Sequence, residues 1–294
     1  MVSLYLEIAL QRFMPTKSGV TLASDPVSSE SNFEISGRIA VATIGYTDKI
    51  SSPSRNEKMF FFQMAIVCAV IAFVGFAPTY WAPLLTGKLN VHPIIHLHGA
   101  VFFLWSVYFV YQAWLAASGR LARHRAVGLV GVSLATAMVC VGLLGAVTQM
   151  RIAPAALVDA HKVFSIVPIT VIVFFAGAFT AAITLRRQTD WHQRLILVAA
   201  VSILEAPVAR WFIVFLAPAG PPGPPPIAVT LLPALLSLLP LFVAMIYDWR
   251  TRKAVHPAYV LGGVGFVTLK LLQAPLSETA AWHALATWLL ALAG

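Results

Sequence analysis

Seven apolar runs, each about twenty residues long, alternate with short segments that hold nearly all of the charge. That spacing constrains the fold more than any other feature of the chain. Of its residues 59% are hydrophobic and only 11% charged, too few polar side chains to cover a water-soluble body of 294 residues. Lipid is therefore the expected solvent. In hydrocarbon every backbone group must bond internally, and runs of this length suit spanning helices better than barrel strands. The expected fold class is all-α, a polytopic membrane helical bundle of seven transmembrane helices at about 59–78, 93–117, 126–148, 162–185, 193–216, 227–247 and 257–273. A formal net charge of +9 would suggest nucleic acid in a soluble protein. Here the cations sit in short loops between apolar runs, so they read as topology signals and no nucleic-acid partner is expected.

Three segments follow. Residues 1–58 are rich in Ser and Thr, mixed in charge and without periodicity, which predicts a poorly ordered tail. Residues 59–276 form the bundle, and 277–294, with Trp282, His283 and Trp288, suit a short helix lying at the interface. No cleavable signal is read, because the first long apolar run begins near Met59, itself an alternative start, and no small-residue cleavage site follows it. The cations sort by side. The tail carries Arg12, Lys17, Arg38, Lys49, Arg55 and Lys58; the loops after the second, fourth and sixth runs carry Arg120, Arg123, Arg125, Arg186, Arg187, Arg194, Arg250, Arg252 and Lys253. The opposite loops hold Lys88, Arg151 and Lys162. This asymmetry predicts the N-terminus in and the C-terminus out. The uncharged PPGPPP stretch before Ile227 reads as a stiff polyproline connector.

Histidines are the chemically informative residues. Four successive helix starts carry one: His98 (with His92 and His96) on the second, His124 on the third, His161 on the fourth and His192 on the fifth. Stepping by three and four from His124 meets Gly128, Gly131, Ala135, Met138 and Gly142, and the walks from His161 and His192 are also mostly small. Such faces approach a neighbouring helix closely or leave room for a flat cofactor, so these histidines are expected to point inward. His98 shares its stripe with Phe102, Trp105, Phe109 and Gln112, whereas His96 lies on nearly the opposite side of the same helix. His92 and His256 each precede a proline and read as loop residues just outside a helix.

Pairing His98 with His161 at one face and His124 with His192 at the other gives the arrangement of two bis-histidine haems stacked across a membrane. The segments HLHG (His96–Gly99), RHRAVG (Arg123–Gly128) and WHQRLIL (Trp191–Leu197) resemble those of a group of uncharacterised bacterial multi-pass membrane proteins, over about residues 59 to 290. The alternation of histidines more distantly resembles the cytochrome b561-like four-helix core, in which haem ligands on four successive helices pair first with third and second with fourth. The resemblance implies haem b as cofactor, electron transfer across a bacterial inner membrane, and a quinone or another membrane redox protein as partner. This chain departs from the cytochrome pattern in placing His124 and His192 at helix mouths beside Arg123, Arg125 and Arg194. Those arginines suit haem propionates and lipid phosphates alike. Two other readings stay open. One is a metal-dependent membrane enzyme or metal-handling factor using His96 or His98, His161 and Asp159 as ligands. The other is a transporter or structural protein whose histidines organise helix ends.

Charges within the apolar runs are the remaining candidates. Glu205 stands near the middle of the fifth run, two residues before Pro207, with Arg210 one turn further on and Lys270 in the seventh run. A charge at the bilayer centre costs at least about 2.5–3.5 kcal/mol on insertion scales, so Glu205 needs a partner, and Arg210 and Lys270 are the candidates. The pair reads either as an ion pair fixing the fifth helix to the seventh or as a proton-accepting carboxylate. Cys68 and Cys140 are expected to be buried apolar residues.

Overall fold

The computed structural model describes residues 54–216 and 223–292. The tail expected up to residue 53 and most of the proline-rich connector lie outside the described residues. Among the described residues seven helical stretches are long and apolar enough to cross a membrane: α1 Arg55–Leu85, α2 Pro93–Ala117, α3 Leu121–Arg151, α4 Ala155–Thr184, α5 Thr189–Phe215, α6 Ile227–Arg252 and α7 Pro257–Ser277. A shorter apolar helix, α8 Ala280–Leu292, follows. Its Ala286 packs on Val147 and Met150 of α3, and Trp282 Nε1 donates to the Lys162 carbonyl at 2.9 Å. Among the described residues all regular structure is helical. The protein is an integral membrane bundle.

Local chemistry sets where the helices begin. Ser54 caps α1, its Oγ accepting from the Glu57 amide at 3.1 Å, so Arg55 to Lys58 belong to the helix and not to the tail. His92 and His256 cap α2 and α7 in the same way. Each precedes a proline at the first helical position, and each accepts from the amide after that proline, Ile94 at 3.4 Å and Ala258 at 3.1 Å. Between α2 and α3 the chain reverses through Gly119, whose φ of 76° is open to glycine at little cost.

Besides the turn at Phe76, where α1 passes into a π-helical segment, three spans are broken among the described residues. The helix of α4 is interrupted at Ser165, that of α5 at Ile203–Leu204 and that of α6 at Leu238. A proline follows each break (Pro168, Pro207, Pro240) and cannot donate to the carbonyl four residues before it. A serine at or just before each break turns its hydroxyl onto the carbonyl three residues back. These bonds are Ser165 to Lys162 at 2.6 Å, Ser202 to Ala199 at 2.8 Å and Ser237 to Ala234 at 2.7 Å.

Span α5 is the centre of the bundle, packed against α1, α4, α6 and α7. Around it lie Phe175, Leu197, Val201, Tyr259 and Phe266, all at most 1% exposed. Leu129, Leu261 and Val173 point outward among many other large apolar side chains, as a lipid-facing surface requires. Cys68 is buried as expected, but Cys140 is not: it lies on the outward face of α3. Its stripe is offset from the inward Met138, and helical periodicity, not residue type, decides the side it faces.

Candidate functional site

His124 and His192 meet at the arginine-rich end of the bundle. Their ring centroids are 6.4 Å apart and their planes lie at 82°. Each ring is anchored through Nδ1 to a carbonyl of the preceding helix, His124 to Gln112 at 3.2 Å and His192 to Ala182 at 2.9 Å. The Ala182 carbonyl belongs to the last turn of α4, where the helix itself supplies no donor. A carbonyl can only accept, so each neutral imidazole holds its proton on Nδ1 and leaves Nε2 as a lone-pair donor. This is the tautomer and the kind of anchoring that histidine ligands to metals use.

The small-residue stripe running on from His124 is partly consumed by packing. A Cβ on Gly131 would come within 2.8 Å of the Tyr108 ring, and one on Gly142 within 3.1 Å of Ile172. Around Ala135 space remains, in a cavity of ≈ 230 Å³ between α3 and α4 lined by Val132, Ala135, Thr136, Ala176, Phe179 and Thr180 among others. Ile183 and Thr184 at one end of it directly follow Ala182, the residue that anchors His192.

The other histidines are not gathered in this way. His98 stacks on Phe102 at 4.1 Å and lies against the α3 backbone near Gly145. His161 donates to its own helix, at the Leu157 carbonyl 2.9 Å away, and neither ring contact nor hydrogen bond joins it to His98. His96 turns to α1, where its Nδ1 is 2.9 Å from Tyr80 Oη. Gln112, at the end of the His98 stripe, gives its side chain to Tyr108 and its carbonyl to His124. Among the described residues no three His, Cys, Asp or Glu side chains gather as metal ligands would. His96, His98, His161 and Asp159 therefore do not assemble.

Sequence reasoning missed a charge network at the same end. Arg194 is fully buried and makes a two-pronged contact with Asp248, Nε to Oδ2 at 2.8 Å and Nη2 to Oδ1 at 2.7 Å. It also reaches Glu57 at 3.1 Å and the Asp190 carbonyl at 3.1 Å. Arg252 joins the same acids, 2.6 Å from Glu57 and 3.0 Å from Asp190. Gln193 donates to Glu57 at 2.7 Å. Three carboxylates and two guanidinium groups thus tie together α1, α5 and α6. Arg194 is committed to this network and faces neither lipid phosphate nor solvent. Beside it His256 packs edge-on against Trp191 at 4.8 Å; its pKa is pushed down to about 4, first by burial and then by the Arg194 charge.

Deeper in the bundle Glu205 Oε1 accepts from Lys270 Nζ at 2.7 Å, both side chains buried. Of the two candidate partners it is thus Lys270 that holds the carboxylate. Arg210 instead places its guanidinium 5.6 Å from the Phe76 ring centre. Trp211 donates to the Val74 carbonyl at 3.2 Å, adding a second tie between α5 and α1. No family model, curated protein or solved structure matches this chain.

Proposed function

We propose that this membrane protein is a b-type haem protein that carries electrons, with one haem held between His124 and His192. The observation that supports it is the geometry of that pair. Two imidazole–metal bonds of about 2 Å set ring centres roughly 6 Å apart on either side of an iron. The 6.4 Å separation matches that span, and both rings have the required nitrogen free. The apolar cavity between α3 and α4 lies on the helix that carries His124 and on the helix whose Ala182 carbonyl anchors His192. Haem would supply one-electron chemistry, while the protein's share is to fix the ligands' tautomer and orientation through the Gln112 and Ala182 carbonyls. A lipid-soluble quinol or a neighbouring membrane redox protein is the matching partner class, since the described loops between spans are short.

A second reading has its own support. The bond to Ala182 also makes His192 a cap on the end of α4, and the bond to Gln112 ties His124 to α2, both purely structural roles. The dithionite-reduced minus oxidised spectrum of the full-length protein purified from haem-supplied cells, with a pyridine haemochrome assay, separates the two. One haem per chain with a sharp low-spin reduced band, lost in His124→Ala and in His192→Ala but retained in His98→Ala and His161→Ala, is expected. A colourless wild-type protein would sink the haem reading and leave the capping role.

A further inference from the structure

The charges of the bundle centre stand apart from the histidine pair. Glu205 is 4% exposed, and while Oε1 holds Lys270, its Oε2 is buried with no hydrogen-bond partner among the described residues. One turn along α7 from Lys270, Gln273 is 1% exposed; it donates to Thr170 Oγ1 at 2.8 Å, and its Oε1 is likewise buried and unpartnered. The site therefore holds two buried acceptors that no donor reaches, although the Lys270 ammonium keeps two N–H groups beyond the one given to Glu205 Oε1. A buried acceptor left unpaired costs about 1–3 kcal/mol, so two together call for a ligand that donates. Water is the smallest such ligand, and buried waters characteristically serve polar groups that the protein leaves unsatisfied.

We propose that Glu205, Lys270 and Gln273 enclose a water through which Glu205 exchanges protons with the aqueous phase, making it a proton-binding site inside the membrane. The balance is simple. A proton from bulk hydronium passes through the bound water to Glu205 Oε2, forming its O–H bond and returning neutral water to the bulk. No electron moves, and the Glu205–Lys270 pair goes from zero net charge to a single positive charge. Lys270 is the charged neighbour of the carboxylate; α4 contributes the uncharged Thr170, and Arg210 on α5 is turned to Phe76. This inference rests on none of the histidines and stands whether or not haem binds.

The test is infrared difference spectroscopy of the full-length protein in proteoliposomes, titrated from about pH 4 to about pH 10 in H₂O and D₂O. A protonated-carboxyl C=O band is expected on acidification, lost in Glu205→Gln and shifted within minutes in D₂O. In Gln273→Leu the band should move to higher frequency as the water loses an anchor; an unmoved band would remove the bridging water. Absence of any Glu205-dependent band, or one that ignores D₂O, would mean a sealed ion pair and overturn the proposal. Should Glu205→Gln alone fail to fold, Glu205→Gln with Lys270→Met removes both charges and must lose the same band.

Discussion

Two glycines of α1 and α3 differ in what surrounds them, and that difference decides what a methyl group would do. A Cβ on Gly75 would lie 2.3 Å from the Pro207 side chain and 2.7 Å from its backbone, where α1 crosses α5 next to the α5 break. Backbone cannot step aside as a flexible side chain can, so Gly75→Ala should lower the thermal midpoint of the detergent-solubilised protein by several degrees. Gly128 meets nothing within 4 Å, and Gly128→Ala should be neutral or stabilising by up to about 1 kcal/mol through helix propensity alone. His256 gives a pH dependence of definite sign. Its folded-state pKa of about 4 lies below the 6.5 of an unperturbed histidine, so the unfolded chain binds the extra proton first. Its contribution is whole above about pH 6.5 and is lost as the pH falls from there to about 4. Thermal melts across that window should show a slope that His256→Asn, which keeps a capping acceptor, reduces. A wild-type-like slope in that variant would assign the acid sensitivity to the carboxylates. The sequence places His92 and His256 correctly just outside their helices. Their capping bonds escape it because histidine is not among the usual capping residues, although the His-Pro pair at both sites is a visible sign.

At the scale of the helix, apolar run length is a strong signal and charge pairing a weak one. All seven spans are legible because each must be apolar along its whole length, and the α2 start and end at 93 and 117 coincide with the expectation. The ends of α1, α3 and α6 extend further than hydropathy predicts, because polar residues continue a helix once caps and ion pairs hold them. Glu57, Asp190, Arg194, Asp248 and Arg252 look like scattered boundary charges when read in order. Asp190 and Arg194 are one turn apart, but the contacts that join α1, α5 and α6 span 54 to 195 residues of chain, so nothing local announces them. Removing one member should expose the network's cost. Asp248→Asn leaves the fully buried Arg194 short of its principal counter-charge, a loss on the order of 3–5 kcal/mol for a buried pair. Arg194→Met combined with Asp248→Leu removes both charges and should recover most of that loss in thermal stability. If the double variant is no better than the single one, the pair is worth more than its desolvation, and the three helices depend on the charges themselves.

For the whole molecule the question is which end faces which compartment. The two ends differ in composition: the residues around the α2–α3, α4–α5 and α6–α7 turns carry Arg120, Arg123, Arg125, Arg186, Arg187, Arg250 and Lys253, while the α1–α2 and α3–α4 turns carry Lys88, Arg151 and Lys162. Orientation follows such a bias because cations near span ends resist translocation, so the arginine-rich end is expected in the cytoplasm. An odd number of spans then puts the end of α7, with α8, on the opposite side. Single-cysteine variants at Lys88 and Lys253 test this, since the two turns lie at opposite ends of the spans they join. Cys68 is buried, and Cys140 is exposed only on the apolar side of α3, so replacing both with Ala leaves a clean background. In intact cells a membrane-impermeant thiol reagent should label Lys88→Cys and spare Lys253→Cys until the membrane is permeabilised. The reverse pattern would invert the bundle. It would then place the His124–His192 pair and the Arg194 network on the outer side. Equal labelling of both sites would mean that the spans do not all cross, and the arginine asymmetry would lose its meaning as a topological signal.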